Sequence, residues 1–281
     1  MEEEKELIAE IKKKRELASL ADDFVEKELS EYLKRDYDAQ KFLKTEINPK
    51  SYLYKKIVKE VRARLRRSFG LFRLNQDQVQ QEYFLGQLKL KYNLEMIREI
   101  LATNASTKER LEFYGKLYEK IFQITGKPEK ILDLGCGLNP FSVVFMKLSR
   151  CTYRAYDLDQ NENKLLNEFF QLWHDRQQLF QGRAEILDLL HFSSLPPSDV
   201  AFLFKVTDVL DQNQGHKKTE ELLQKVPAKF VVISFSTFTM SGKRMTAPRR
   251  SWMEWLCQRL GYKQTILEFY NEIFYVVEKH F

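Results

Sequence analysis

The sequence predicts an α/β protein in which a mostly parallel sheet follows an all-helical N-terminal region. From about residue 128 onward, short β-branched or aromatic runs alternate with helical stretches, as expected for strands joined by crossover helices. Residues 1–103 contain only two glycines and one proline and are rich in Glu, Lys and Leu, which favours helices. We therefore predict a helical domain over 1–103 and a sheet domain over 104–281.

The sheet domain contains seven strand-like runs. The first five alternate with helical patterns, whereas only Tyr270–Asn271 separates the last two, which predicts a hairpin at one end of the sheet. This is the arrangement of class I (Rossmann-like) S-adenosylmethionine (SAM)-dependent methyltransferases. The predicted strands are 130–134, 153–157, 184–187, 200–205, 230–235, 264–269 and 272–277, and the predicted helices among them are 141–150, 160–178 and 216–225.

Composition excludes several classes of protein. No apolar run approaches the roughly 18 residues that cross a bilayer, and the start MEEEKE is unlike a signal peptide, so we expect a cytoplasmic protein. The three cysteines show no CxxC spacing, which argues against a disulfide framework or a zinc cluster. Four histidines, none paired at i+4, give no reason to expect a metal site.

The segment KILDLGCGLNPFSVVF predicts a nucleotide-type loop after the first strand. Gly135 and Gly137 allow a tight turn close to a ligand, and Pro140 suits the first turn of a following helix. The dinucleotide pattern G-x-G-x-x-G fails because Pro140 occupies its third glycine position. NAD and FAD are thus less favoured than SAM, although an ordinary glycine turn remains an alternative.

Three acidic residues lie at or just beyond the ends of successive predicted strands. Asp133 belongs to the first strand, and Asp157 follows it by 24 residues at the end of the second. A carboxylate in that second position can accept hydrogen bonds from ribose hydroxyls. Asp188 follows the third strand, where an adenine amine would lie, and Leu189 could cover the ring. Each acid alone could be a solvated turn residue, but together they favour a nucleoside site.

These motifs resemble the 16S ribosomal RNA methyltransferases of aminoglycoside producers and resistant bacteria, which methylate guanine N7. The resemblance covers roughly 100–281 and is only loose before that. It rests on a helical segment, the glycine loop, the fourth strand, the fifth strand with its loop, and the last strand. In order, these read ASTKERLEFYGKLYEKIF (105–122), DLGCGLNP (133–140), LFKVTDVLDQNQG (203–215), VVISFSTFTMSGKRM (231–245) and NEIFYVV (271–277).

The resemblance implies SAM as cofactor and roles for individual residues. Arg110 would bind the cofactor carboxylate, since arginine offers a bidentate fork. Lys205 would end the fourth strand beside the reaction centre, and Gln214 would lie near the cofactor or the target base. The implied cofactor site comprises Arg110, Asp133, Gly135, Gly137, Asp157, Asp188, Leu189, Lys205 and Gln214. We assign no acid or base, because the lone pair of guanine N7 is free.

Several positions depart from the family pattern. Asn104 stands where the family usually has His, Ser236 and Phe238 replace a Pro and a basic residue, and Asp208 replaces a Pro. These positions are expected to touch RNA rather than cofactor, so they leave the target nucleotide open. Within the same loop, the resemblance and the local charge predict that Thr237, Lys243 and Arg244 contact the substrate RNA.

The positive charge is concentrated in one segment. Residues 50–73 hold nine basic side chains against the single acid Glu60, while the whole chain carries +6. Apolar residues at 57, 58, 61, 65 and 69 form one helical stripe, which leaves the cations on the other faces. A solvated helix face is the simpler interpretation, but this excess favours contact with RNA phosphates. The predicted contacts are Lys55, Lys56, Lys59, Arg62, Arg66 and Arg67.

We therefore predict a methyltransferase of structured ribosomal RNA, with the assembled 30S subunit as substrate and the helical domain as its docking part. Two other hypotheses stay open at this point. A small-molecule methyltransferase would have no use for the basic segment, and a non-catalytic SAM-binding RNA module would keep that segment without turnover. Transfer of a labelled methyl group to 30S subunits, to small acceptors or to neither would separate the three.

Overall fold

A computed structural model describes residues 2–42, 48–68, 78–211, 215–239 and 241–280. The chain divides into two compact units, one of Met1–Leu74 with Leu158–Asn161 and one of Asn75–Asp157 with Glu162–Phe281. This division lies before the boundary predicted at 103/104. The reason is packing: Leu85, Ile97 and Leu101 belong to the same hydrophobic core as the sheet.

Unit 1 is helical. Its core is formed by apolar faces of its helices. The stripe predicted for the basic segment is buried there as far as the structure describes it, with Ile57, Val61 and Leu65 fully inaccessible to solvent, and Phe69 lies outside the described residues. That burial leaves the basic side chains at the sides and on the outside of the helix. The helices are α1 (Glu2–Lys12), α2 (Asp22–Arg35), α3 (Tyr37–Phe42) and α4 (Tyr52–Ser68), with a short 3-10 helix at Arg15–Leu17.

Unit 2 is built on a sheet that has seven strands in the described part of the chain. The strand order is β3-β2-β1-β4-β5-β7-β6, in which β1 to β5 are parallel and β7 runs antiparallel to both β5 and β6. The predicted terminal hairpin is thereby confirmed. The strands are β1 (Lys130–Leu134), β2 (Cys151–Asp157), β3 (Phe180–Ile186), β4 (Ser198–Phe204), β5 (Ala228–Ser236), β6 (Lys263–Glu268) and β7 (Glu272–Glu278).

Helices cover both faces of the sheet. Because side chains alternate along a strand, the neighbours Ile131 and Leu132 point into different cores. The core around Ile131 takes side chains from α5, α6, α8 and α9, and the core around Leu132 takes them from α11 and α12. None of the described helices is long and apolar enough to cross a membrane. The helices are α5 (Gln78–Leu90), α6 (Leu94–Ala102), α7 (Ala105–Arg110), α8 (Tyr114–Thr125), α9 (Gln160–Arg176), α10 (Thr207–Asp211), α11 (Lys217–Lys225) and α12 (Ser251–Leu260).

The helix predicted at 141–150 is different in the structure. The segment Asn139–Phe145 forms a 3-10 helix instead of an α-helix. The Ser142 hydroxyl donates to the Asn139 carbonyl at 2.6 Å, three residues back, which competes with α-helical bonding of that carbonyl. The consequence for function is that no long helix begins directly behind the glycine loop.

Candidate functional site

The carboxyl ends of the parallel strands bring the predicted cofactor residues together at one edge of the sheet. The strand order reverses at β1, with β2 on one side and β4 on the other. Parallel α/β sheets bind ligands at such a switch point. Gly135 and Gly137 follow β1 there, Asp157 ends β2, and Lys205 follows β4.

Gly135 lies where the segments after β1 and β4 meet. Its φ of 68° is in the left-handed region. A Cβ added to it would lie 2.6 Å from Cγ2 of Val206 and 3.6 Å from Cδ1 of Leu189. Only glycine allows this approach and this conformation at once. A substitution would therefore push apart the two segments that border the switch point.

The backbone amides of the loop are already bonded within the protein. The N–H groups of Gly135 and Cys136 both donate to the Tyr156 carbonyl, at 2.9 and 3.0 Å. The N–H of Gly137 donates to Oδ2 of Asp157 at 2.9 Å. All three amides therefore hold the loop against β2.

Polar side chains surround the space beside Gly137. Its φ is 47°, and a Cβ there would meet nothing nearer than 4.0 Å, where Nδ2 of Asn104 and Oε2 of Glu162 lie. Asp157 borders the same glycine and is 8% exposed. Two carboxylates and one amide around an open position suit a ligand that carries hydroxyl and amino groups. The resemblance had not pointed to Glu162.

Asp188 lies two residues beyond the end of β3 and is fixed by its own turn. One carboxylate oxygen accepts the Leu190 N–H at 2.9 Å, and the other lies 2.8 Å from Nδ1 of His191. Leu189 is buried, and it borders the space above Gly135. The turn thus holds an acid and an apolar side chain next to each other, as the predicted adenine site requires.

Asp133 is 1% exposed and supports the loop from below. Its Oδ2 accepts hydrogen bonds from Nδ2 of Asn139 at 2.9 Å and from the Tyr153 hydroxyl at 2.6 Å. Asn139 is fixed in turn by the Tyr114 hydroxyl, which donates to its Oδ1 at 3.0 Å. Burial raises the pKa of Asp133 to about 6, although the bonds from Asn139 and Tyr153 oppose this rise.

This environment predicts a pH dependence for Asp133→Asn. Between about pH 4 and pH 6 the unfolded chain releases a proton that the folded chain retains, so wild-type stability falls as pH rises through this window. Asparagine can accept both hydrogen bonds through one oxygen and does not titrate. We expect the variant to gain stability over wild type as pH rises, by about 3 kcal/mol above pH 6.

Chemical denaturation at a series of pH values measures this difference. Because Asp133 faces protein groups, we expect cofactor affinity to stay within about threefold of wild type. Parallel pH curves for the two proteins would contradict the buried carboxylate. A large loss of affinity in a stable variant would instead restore a direct ligand role for Asp133.

Arg110 forms a buried ion pair with Glu272, the first residue of β7. The two side chains are 1% and 0% exposed, and the guanidinium binds both carboxylate oxygens at 2.8 to 3.1 Å. Nη2 also donates to Oγ of Ser106 at 3.1 Å. Burial alone would lower the pKa of Arg110, but the Glu272 carboxylate outweighs it and raises that pKa above its ordinary value. Glu272 and Ser106 thus already occupy Nε and Nη2 of the guanidinium.

Lys205 joins the same cluster from the end of β4. Its φ of 57° is unusual for a residue with a side chain, and its N–H donates to Oγ of Ser234 at 3.0 Å. Its ammonium pairs with Glu109 and lies 3.5 Å from Oε2 of Glu272. The side chain is 8% exposed, so this lysine at the end of a strand does not reach into solvent.

The sequence reasoning missed Glu272 and Glu109 as partners of the predicted cations. Glu272 lay inside the quoted NEIFYVV motif, where a lone acid before five apolar residues could have indicated a buried charge. Its partner Arg110 is 162 residues away in the chain, and no local pattern connects them. Gln214 lies outside the described residues. Among those described, no cluster of His, Cys, Asp and Glu could hold a metal ion.

The basic residues of α4 fall into two groups. Four of them are engaged within unit 1: Lys56 pairs with Asp36 at 2.8 Å, Arg62 binds the backbone carbonyls of Glu10 and Ile11, Arg64 pairs with Glu28 at 3.2 Å, and Arg66 pairs with Glu16 at 2.7 Å. These bonds give Arg62 a structural role, and its RNA contact stays a prediction. The remaining predicted contacts, Lys55, Lys59 and Arg67, are exposed.

The loop after β5 contains the other predicted RNA contacts. Thr237 is 3% exposed, and its hydroxyl donates to the Tyr270 carbonyl at 2.8 Å, so it ties the loop to the β6–β7 turn. Lys243 and Arg244 are exposed, and the Arg244 guanidinium lies 5.0 Å from the centre of the Tyr270 ring. Of the three, the two basic side chains are therefore the ones available to RNA.

Comparison with known proteins identifies the family of the chain. The family model described as "Ribosomal RNA methyltransferase (FmrO)" matches residues 93–276, which is more than half of the chain and includes β1 to β6 and most of β7. The chain belongs to this ribosomal RNA methyltransferase family. The match also includes α7 with Arg110, the glycine loop and the loop that carries Lys243.

Individual relatives are also ribosomal RNA methyltransferases. The chain is 26% identical over 246 residues to a 16S rRNA (guanine(1405)-N(7))-methyltransferase of Proteus mirabilis, covering 81% of this chain and 86% of that protein. It is 29% identical over 186 residues to an enzyme with the same name from Micromonospora echinospora, covering 65% and 66%.

Solved structures share the fold. The 16S rRNA methyltransferase RmtF, solved with S-adenosyl-L-homocysteine, has a TM-score of 0.75 and 23% identity, covering 100% of this chain and 99% of RmtF. The 16S rRNA methylase RmtB has a TM-score of 0.73 and 21% identity, covering 99% and 98%.

Proposed function

We propose that this protein transfers a methyl group from SAM to N7 of a guanine in 16S ribosomal RNA, with the assembled 30S subunit as substrate. The observation that carries the proposal is the glycine loop bonded to Asp157 at the switch point of the sheet, in a chain of the ribosomal RNA methyltransferase family. The relatives' names supply the finer assignment to guanine N7, at position 1405.

The donor set around the loop fits a nucleoside cofactor. Asp157 offers carboxylate oxygens for ribose hydroxyls, and Glu162 lies on the other side of Gly137 for hydroxyl or amino groups. Asp188 and Leu189 would hold the adenine by its amine and its face. SAM supplies a methyl group on a positively charged sulfur. Asp133 does not touch it in this proposal but positions the loop through Asn139.

The residues beside this pocket orient the target rather than remove a proton. Guanine N7 has a free lone pair, so the enzyme must align it with the methyl group and exclude water, which can contribute up to roughly 7–11 kcal/mol. Lys205 and Glu109 pair at the end of β4, and Glu109 is 45% exposed. Its carboxylate is available to the target base, while Arg110 and Glu272 hold Lys205 in place from the buried side.

The exposed lysines of α4 are proposed to contact RNA phosphates. For the double substitution Lys55→Glu with Lys59→Glu we expect weaker binding to 30S subunits. We also expect the slope of log affinity against log salt to fall by about 0.9 for each phosphate that the variant no longer neutralises. Filter binding at several salt concentrations measures both quantities, and SAM affinity should not change.

Lys34→Glu is the matched control, because Lys34 is an exposed lysine of the same unit on α2 rather than α4. The proposal for the exposed lysines of α4 fails if each charge reversal costs the same affinity for 30S subunits in the control as in the double variant. It also fails if the double variant retains the wild-type salt slope.

Labelled methyl transfer tests the function as a whole. Purified protein is incubated with tritiated SAM in three separate reactions, which contain 30S subunits, free 16S rRNA or small acceptors. The expected result is label on 30S subunits, with borohydride–aniline cleavage and primer extension stopping at the guanine named for the relatives, 1405. Label at another nucleotide would overturn the target, and label only on small acceptors would overturn the RNA substrate.

A further inference from the structure

A groove with aromatic walls lies between α11 and α12, outside the cofactor site. It encloses about 410 Å³ and is lined by His216, Glu220, Trp252, Trp255, Leu256 and Arg259, among others. That volume is within the range of small-ligand sites, about 300–1,000 Å³. The catalytic proposal leaves the groove without a role.

One wall of the groove is a preformed stack of two rings. His216 and Trp252 lie parallel, with their centres 3.7 Å apart and their planes within 2°. His216 has a φ of 64°, a left-handed conformation that costs energy for a residue with a side chain. Its Nδ1 lies 3.3 Å from Oδ2 of Asp211, which is itself bonded to the Thr219 N–H and hydroxyl. Asp211 therefore fixes the His216 side of the stack.

The other wall exposes a large aromatic surface. Trp255 is 77% exposed, although tryptophan is mostly buried in folded proteins. It lies one helical turn beyond Trp252 on α12, and Leu256 beside it is buried. The two indoles thus border one groove, with an apolar floor between them.

The charge of the segment that leads into α12 points to a polyanion. Within the groove, Glu220 and Arg259 form an ion pair at 2.6 Å and leave little net charge. The segment 237–250, which leads into α12, contains four basic and no acidic residues. Its Lys243 and Arg244 are exposed. A ligand that combines flat rings with negative charge matches both features, and single-stranded nucleic acid has this chemistry.

We infer that this groove binds an unstacked nucleobase of the substrate ribosomal RNA, with Trp255 as its stacking platform and Lys243 and Arg244 on the adjoining phosphates. The inference rests on the proposed RNA substrate and adds a second base-binding position to the one at the cofactor site. Stacking on Trp255 would secure the RNA strand while the target guanine reaches Lys205 and Glu109.

The test compares two probes that differ only in their bases: an oligoadenylate, and an abasic oligoribonucleotide of the same length. Trp255→Ala should weaken binding of the full chain to oligoadenylate by about 5- to 150-fold and leave the abasic probe unchanged. Trp255→Phe should retain most of the affinity, because the smaller ring still stacks. The salt slope should stay the same in Trp255→Ala, since the substitution removes no cation that neutralises a phosphate.

Leu179→Ala is the matched control, because Leu179 is an apolar side chain that is 59% exposed. It precedes β3, the edge strand farthest in the sheet from β6, which follows α12. Equal losses on both probes, no loss on oligoadenylate, or no wild-type binding to it would each overturn the inference. A dimer in analytical ultracentrifugation that Trp255→Ala dissociates would assign the groove to a second copy instead. Methyl transfer to 30S subunits is measured in parallel, so failure of the function is seen separately from failure of the groove.

Discussion

Replacing Glu272 by Gln should destabilise the protein by about 3–5 kcal/mol. The substitution leaves the Arg110 guanidinium charged and buried without its counter-ion, and the penalty for an unpaired buried charge is of this size. It also removes the second carboxylate beside Lys205. In thermal unfolding we expect the midpoint to fall by roughly 6–20 °C. Methyl transfer should fall further than the folded fraction, because the Lys205 ammonium keeps only Glu109 as its partner.

A surface glutamate provides the control. Glu268 on β6 pairs with Arg249 at 2.8 Å, but these side chains are 52% and 60% exposed. Glu268→Gln should therefore cost less than about 1 kcal/mol. If both substitutions have the same small effect, the buried pair does not hold this edge of the sheet together.

A double variant separates stability from function at this pair. Replacing Arg110 and Glu272 together by methionine removes both charges and should restore most of the stability, since paired apolar replacements of buried ion pairs are often neutral. We expect methyl transfer to remain low in the restored protein. Recovery of activity together with stability would show that the pair is purely structural.

The positions of the strands along the chain could be predicted because each strand carries its own local signal. The runs around Ile131, Val200 and Val231 are short, apolar and separated by helical patterns, and such alternation allows few topologies. The domain boundary could not be predicted in the same way. Helices α5 and α6 have the composition of the preceding helices, but their apolar faces bury against the sheet.

In the site, too, residues could be predicted from nearby sequence, whereas contacts between residues far apart in the chain could not. Asp157 and Gly137 were predicted as cofactor residues from their places after strands, and the structure brings them to a hydrogen bond of 2.9 Å. The partner of Arg110 could not be predicted, because Glu272 reaches it only through the pairing of β7 with β5. Likewise, the count of cations on α4 gave no indication that the acids of α1 and α2 neutralise some of them.

Asp157→Asn should raise the dissociation constant for SAM by about 10- to 100-fold. Hydrogen bonds to a charged acceptor are worth about 1.5–3 kcal/mol, and the amide loses the charge together with one of the two acceptor oxygens. Asparagine can still accept the Gly137 N–H through its remaining oxygen, so the loop should keep its conformation. Isothermal titration calorimetry gives the affinity, and the thermal midpoint without ligand shows whether the fold is intact.

Asp199→Asn is the matched control for this substitution. Asp199 also accepts backbone amides, those of Glu129 and Lys130 at 2.8 Å, but it does so at the amino end of β1, on the opposite edge of the sheet. Both variants lose one carboxylate charge near a backbone amide, and only one of these carboxylates borders the glycine loop. A ribose contact at Asp157 therefore requires the affinity to fall in that variant alone, and unchanged SAM binding in well-folded Asp157→Asn would remove the nucleoside assignment from this edge of the sheet.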